Sequence, residues 1–503
     1  MVDICYISSV LSTDSMSSSF EILKRCASGR IGKLTTPHGV VETPTVMPVI
    51  NPNIRLVSPS KMKDMGAEIL ITNSYIIYRS KKLADHALTR GLHSLLEYDG
   101  PIMTDSGSFQ LSVYGEVEVT NEQIIDFQHK IGSDIAVPLD IPTPPDVSRD
   151  RAEEELEITT ERLKNARNHL SGSTLLAGPI QGSTYRDLRT EAAKKVSEIG
   201  FDIYPIGAVV PLMESYRYAD LVDVIVSSKM GLNPSSPVHL FGAGHPMMFS
   251  LAVAMGCDLL DSAAYALYAK DERYITPHGT FHLSGLKYLP CSCPVCQSYT
   301  PDEIRNSDDP VTLLAEHNLY TTFEEIRRVK QAVYDGNLLE LVEMRCRSHP
   351  RLLEALERIY SYSDWLEIYD PISKSTFFYC GPESAKRPEV IRFSKRMERL
   401  NIDGSAIIRP AGSNIKNTSD FDHMLEFKPP FGAYPVELGE VYPFNAESPS
   451  VHGPESLGVA LENTIRLIKL NPDAEFTFMK PDHMEHPILE KLSSIANIVN
   501  FSQ

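Results

Sequence analysis

Cysteine is scarce in this chain: 503 residues carry 8. Cys5, Cys26, Cys257, Cys346 and Cys380 are widely scattered. Such scatter excludes a disulfide framework, and the chain is expected to work in the reducing cytoplasm. Long apolar runs are missing too. None approaches the roughly 20 residues of a membrane-spanning helix, so no membrane partner is expected. The stretch from Met1 to Phe20 lacks a basic segment, and Asp3, Asp14 and several serines interrupt its apolar residues. It is therefore expected to make a poor signal peptide. Residues 1–19 read as a disordered extension, with Met16 an alternative start.

Positive charge is the third shortage. Lysine and arginine total 48 against 66 aspartates and glutamates, a net charge of −18. Indiscriminate binding to nucleic acid, which relies on broad positive surfaces, is excluded. A local basic patch is not.

What the chain does have is the composition of a soluble globular protein, 42% apolar and 23% charged. Its length exceeds one ordinary core and predicts two to four domains. Short apolar runs recur, each stopping at a polar residue or glycine: "TPTVMPVIN" at Asn51, "AEILITNS" at Asn73, "GPIMTDSGS" at Asp105 and "SDIAVPLD" at Asp140. "TLLAGPIQG" stops at Gln181, "FDIYPIGAVV" around Gly207, "VHLFGAGH" near Gly242 and "CDLLDS" at Asp261. Continuous apolar runs of this length are the mark of buried parallel strands. Helical patterns lie between some of them. In "RAEEELEITTERLKNARNHL", Ala152, Leu156, Leu163 and Ala166 share one face, and "TYRDLRTEAAKKVSEIG" ends at Gly200 as a helix should.

Eight strands alternating with helices predict an α/β fold, a (β/α)₈ barrel. An open doubly wound sheet is the alternative, but no G-x-G-x-x-G follows the first strand. In a barrel the strand C-terminal ends form the functional face. Asp105, Asp140, Gln181, Gly207 and Asp261 then converge there. Taken singly, Asp105 reads equally as an Asx-turn residue and Asp261 as a helix cap.

The remaining thiols are concentrated in "PCSCPVC", where Cys291, Cys293 and Cys296 fall within six positions. Three thiolates on a tight turn suit zinc, which takes four tetrahedral ligands. His278, His282 and His317 are candidate fourth ligands, and His317 is preferred because it sits in a helical stretch able to fold back over the turn. Three thiolates and an imidazole leave the metal a poor Lewis acid, so one structural Zn²⁺ is expected. An incidental or redox thiol cluster is the other reading.

"DSGSFQ", "VPLD", "PIQG", "GAVVPLMES", "DLLDSAAY" and "CSCPVC…HNL" together resemble the tRNA-guanine transglycosylases, and among them the archaeal archaeosine tRNA-ribosyltransferases. The resemblance is strong over about residues 20–350 and weaker through "FFYCGPESAKRPEV" and "FKPPFGAYPVELGEVYPF". It implies exchange of guanine at position 15 of the tRNA D-loop for 7-cyano-7-deazaguanine (preQ0), without ATP or a redox cofactor. By match to the family motif, Asp261 is the nucleophile that forms a covalent ribosyl intermediate and Asp105 the general acid/base. Asp140 and Gln181 read the guanine edge, Gly207 lets the backbone approach, and Phe109 stacks on the base. Many relatives carry two glycines where this chain has Gly207-Ala208; the Ala208 methyl reads either as a harmless variant, the preferred reading, or as one that narrows the base pocket. The resemblance also implies tRNA as partner and a homodimer. A paralogue with altered chemistry and a non-catalytic tRNA-binding subunit are the competing readings. Retention of Asp105, Asp261 and the zinc ligands disfavours both.

A domain plan follows: a catalytic barrel with its zinc subdomain over 20–345, an α+β domain over 346–428, and a second over 429–503 with no PUA domain. A separate PUA-domain protein is therefore a candidate partner. Six prolines between Pro429 and Pro454 read as extended connector, and the remainder as a helix-strand-helix unit. For RNA contact, "EEIRRVK" offers Arg327, Arg328 and Lys330, and "MRCRSHPR" offers Arg345, Arg347 and Arg351. The most basic stretch is "AKRPEVIRFSKRMERL", with Lys386, Arg387, Arg392, Lys395, Arg396 and Arg399 against Glu389 and Glu398.

Overall fold

The computed structural model describes residues 19–108, 119–170, 172–375, 377–413, 420–449 and 451–501. The expected extension over 1–19 therefore lies, except for Ser19, outside the described residues, as does Phe109.

Each of the eight apolar runs forms a strand. After an antiparallel meander of β1 (Phe20–Cys26), β2 (Gly29–Thr36) and β3 (Gly39–Thr43) come β4 (Thr45–Ile50), β5 (Leu70–Asn73) and β6 (Ile102–Asp105). Then follow β7 (Ile135–Ala136), β8 (Leu175–Leu176), β9 (Tyr204–Ile206), β10 (Val238–Leu240) and β11 (Leu259–Ser262). These eight pair in the order β8-β7-β6-β5-β4-β11-β10-β9, parallel throughout. Parallel bridges Ala177–Ile203 and Ile180–Ile206 join the two outer members, so the sheet curls into a barrel. The intervening helices behave as their patterns predict. Helix Arg149–His169 buries Ala152, Leu156, Leu163 and Ala166, and helix Arg186–Ile199 ends at Gly200, whose φ of 85° a side chain would strain.

Met47, Ile71, Met103, Ile135, Ala177, Ile203 and Leu259 fill the barrel interior, in one cluster with Phe20, Leu34 and Val41 of the meander. The meander thus plugs the end where the strands begin and leaves the end where they finish open. Arg30 pins it there through a buried two-pronged pair with Asp258, both contacts 2.7 Å.

A hairpin of β12 (Arg273–Thr276) and β13 (Gly279–His282) follows the barrel, then the helix Pro310–Asp335. The barrel's helical shell continues past residue 345: Leu352, Leu356, Ile359 and Leu366 belong to the same apolar core. The last unit is one sheet ordered β16-β15-β14-β17-β18, from β14 (Ser405–Pro410), β15 (His423–Lys428), β16 (Gly432–Pro435), β17 (Glu475–Pro481) and β18 (Asn497–Phe501). Strands β15 and β16, on either side of position 428, pair antiparallel across it. The final segment, expected to be helical, instead carries only the short helix Leu489–Ser493 before β18. The run "NIVNF" extends because it pairs in parallel with β17.

Candidate functional site

Asp105, Asp140, Gln181, Gly207, Ala208 and Asp261 line one cavity of about 890 Å³ at the open end of the barrel. The register explains why: residues up to 156 positions apart in sequence share a face because each follows or ends a strand of one closed sheet.

Asp105 ends β6 opposite Asn73 of β5. Asn73 Nδ2 donates to its Oδ2 at 3.0 Å, and the Gly107 N–H donates to Oδ1. The Asx turn and the site position are therefore the same conformation, and Gly107, at φ 84°, permits it. Burial pushes the Asp105 carboxyl up to about 6, reinforced by the negative charges of Asp261 and Asp140 and opposed by the Gly107 and Asn73 donors. That places the Asp105 carboxyl where it can exchange protons near neutrality.

Asp140 is buried, which also raises its carboxyl above the ordinary range, against the stabilising Ser108 hydroxyl and Gln181 amide. Gln181 Nε2 donates to Asp140 Oδ2 at 2.5 Å, and Gln181 Oε1 has no hydrogen-bond partner among the described residues. A Cβ on Gly207 would stand 2.2 Å from Gln181 Nε2, so only glycine leaves the amide where it is. Arg189, itself buried, braces both loops by donating to the carbonyls of Ile180 (2.9 Å), Ser183 (2.7 Å) and Gly207 (3.0 Å). Ala208 adopts φ 58°, a left-handed conformation that an alanine enters at a cost of about 1 kcal/mol.

Asp261 stands next to last in β11. One of its oxygens, Oδ1, accepts from His239 Nε2 at 2.8 Å and from the Gly242 N–H at 2.7 Å. His239 is wholly buried and its ring packs edge-on against Phe241, centroids 4.5 Å apart. The sequence reading passed over His239, which sits inside "VHLFGAGH"; a histidine within an otherwise apolar buried strand is the signal that pointed to it. It also passed over Arg189, His245, Tyr268 and Arg273. His245 lines the cavity with its imidazole lowered to about 4 by burial. Across the mouth, Tyr216 and His349 stack at 4.9 Å and 11°.

The thiol cluster closes as a four-donor centre with the preferred histidine. Donor atoms of Cys291, Cys293, Cys296 and His317 lie within 4.8 Å of one another. His317 Nδ1 is 3.5 Å from Cys293 Sγ and 3.3 Å from Cys296 Sγ, while Nε2 donates to the Ile275 carbonyl at 2.9 Å. That outer bond selects the tautomer with a free Nδ1 lone pair directed at the thiols. Tyr274 stacks on the imidazole at 3.6 Å. Three sulfurs and one nitrogen around a common point could hold a metal ion of zinc's preferences. His278 instead lines the barrel cavity.

The basic stretch needs correction. Arg387 is fully buried, with Nη1 and Nε each 2.7 Å from Glu340 and Glu343. Arg392 is buried against Glu367 at 2.8 Å and the carbonyls of Asp370 and Pro371. Neither side chain reaches the surface, because their glutamate partners lie on neighbouring helices that the local sequence does not reveal. Lys386 pairs with Glu357 at 2.6 Å and Lys395 with Asp364 at 2.8 Å, both exposed; Arg396 is half-buried. Arg345 likewise is a buried partner of Glu325.

A barrel of this topology, with carboxylates at its open end and a Cys₃His centre beside it, defines a class. The chain belongs to the queuine tRNA-ribosyltransferase family, whose model matches residues 26–351, and it is a transglycosylase. It is 64% identical to the tRNA-guanine(15) transglycosylase of Methanosarcina acetivorans over 484 residues, covering 96% of this chain and 98% of that protein. Against the enzyme of that name from Haloarcula marismortui it is 51% identical over 92% of this chain and 95% of that protein. With the one from Methanocaldococcus jannaschii it shares 52% over 85% of this chain and 68% of that protein.

Among the described residues no helix is long and apolar enough to cross a membrane.

Proposed function

We propose that this chain replaces the guanine at position 15 of tRNA with 7-cyano-7-deazaguanine through a covalent ribosyl–Asp261 intermediate, on the path to archaeosine. The observation that carries the reading is that Asp105, ending β6, and Asp261, next to last in β11, face one cavity, with Asp105 pushed up to about 6.

In the first half, an Asp261 carboxylate oxygen attacks C1′ of the ribose as the bond to guanine breaks, and Asp105 gives its proton to the departing base. In the second half, Asp105 takes a proton from the incoming base, whose nitrogen attacks C1′ and releases Asp261. The sugar stays in the tRNA throughout. His239 and the Gly242 N–H both hold Oδ1, which leaves Oδ2 as the attacking atom. Asp140 and the Gln181 amide suit the donor and acceptor edge of a guanine, at the point where Gly207 admits close approach. Phe109 is assigned to stacking on that base. The four-donor centre takes Zn²⁺ as a scaffold, since all four positions are protein ligands and none is left for water. Partners beyond tRNA and the two bases are a second copy of the chain and a separate PUA-domain protein.

The test is incorporation of radiolabelled guanine into unmodified tRNA, chased with 7-cyano-7-deazaguanine. Label is expected to enter the D-arm and leave on the chase. With Asp261→Ala, exchange should fall on the order of 10⁴-fold or more, and no protein–tRNA adduct should survive denaturing gels. Undiminished exchange by that variant would sink the mechanism.

A further inference from the structure

We propose that His38, His93 and Asp134 form a second metal site, for a divalent cation of the zinc, cobalt or nickel type, at the end of the barrel opposite the base pocket. The three come from separate segments: the turn between β2 and β3, the helix Leu92–Leu96, and the residue before β7. Their donor atoms lie within 4.8 Å of one another. His38 Nδ1 stands 2.9 Å from Asp134 Oδ1, and His93 Nε2 stands 3.2 Å from Oδ2. Those separations match the roughly 3 Å edges of a coordination polyhedron with bonds of about 2.0–2.1 Å.

The surroundings hold the carboxylate as an outer shell would. Asp134 is fully buried, and backbone N–H groups of His38 and Ile102 donate to Oδ1 and Oδ2, each at 2.8 Å. Each oxygen keeps its remaining lone-pair direction, which without an ion accepts an imidazole N–H and which a cation would take over as that proton is released to solvent. The two rings lie 3.7 Å apart, tilted by 30°. The His38 side chain is 44% exposed, which opens a route for the ion and positions for water. Two nitrogens and a carboxylate without thiolate favour borderline divalent ions over magnesium or calcium. A bound ion would tie the plug of the barrel to its wall.

The untagged full chain, its Cys₃His centre filled with zinc, is titrated with Co²⁺ alone, then desalted and its metal content measured. A second equivalent per chain is expected, with weak visible bands lacking the intense thiolate-to-metal absorption that marks the sulfur centre. His93→Ala and His38→Ala should each weaken that equivalent about 10–100-fold while leaving the first intact and base exchange unchanged. If His93→Ala misfolds, His38→Ala, at an exposed turn, decides alone. A wild-type chain that takes up no second equivalent, or one retained by a folded variant, would overturn the proposal.

Discussion

His239 and Asp261, 22 positions apart, meet at 2.8 Å, and the histidine gives the carboxylate a donor that water cannot replace because the ring is wholly buried. Strands β10 and β11 run in parallel, with His239 opposite Leu259, so the bond follows from register and not from proximity in the chain. By occupying Oδ1 it orients Oδ2 toward the cavity.

Removing that donor should therefore slow the chemistry more than it weakens base binding. His239→Leu is expected to lower kcat about 10–100-fold, the equivalent of one hydrogen bond to a charged group, with the KM for guanine nearly unchanged. His239→Gln, which can still donate, should recover part of the loss. Equal changes in kcat and KM for the two variants would assign the residue to packing alone.

Asp105 carries a pH signature. Its carboxyl is raised to about 6 in the fold from an ordinary value of 3.8, so the native state holds a proton that the unfolded chain has lost between those values. Stability contributed by this group is thus greatest below about 3.8, declines as pH rises through 6, and stays reduced above it. Asp105→Asn should abolish exchange yet raise stability at pH 7 by about 1–3 kcal/mol, with a much smaller gain at pH 4. Chemical denaturation at the two pH values measures this; an equal gain at both would remove the carboxyl as its source.

Neutralising a neighbour should also move Asp105. The Asp261 charge helps hold it up, so Asp261→Asn is expected to bring its titration to lower pH. Isotope-edited infrared or carbon NMR of the aspartate carboxyls would follow the shift, and an unmoved titration would mean the two groups do not sense each other.

Gly207→Ala places a methyl 2.2 Å from Gln181 Nε2. The amide must swing off Asp140, losing a hydrogen bond to a carboxyl worth about 1.5–3 kcal/mol. The KM for guanine should rise at least about tenfold with the melting temperature little changed, since the space lies in the cavity and not in the core. Unaltered guanine affinity would separate Gln181 from base recognition.

The Zn²⁺ scaffold proposed for Cys291, Cys293, Cys296 and His317 is tested by chelation. A strong chelator should lower the melting temperature by several degrees, while turnover per folded molecule holds until unfolding begins. Loss of turnover ahead of any structural change would give the ion a part in the reaction.

Much of this was legible in the chain itself. Buried parallel strands must be apolar throughout and must stop where backbone meets the open face, so "IMTD" and "LLDS" announce both a strand and the carboxylate at its end. The cysteine cluster was readable because three thiols lie within six residues. His317 lies 21 positions beyond Cys296, yet a helical reading already brought it near.

What only the tertiary structure decided are pairings with no local trace. Arg387 and Arg392 read as a basic surface until Glu340, Glu343 and Glu367 close over them. His239 beside Asp261, Arg189 beneath Gly207, and His38 with His93 and Asp134 each depend on which strand neighbours which. Composition and periodicity report how a residue relates to its own segment's solvent and core. The partner across a barrel is set by closure of the sheet, a property of all eight strands together.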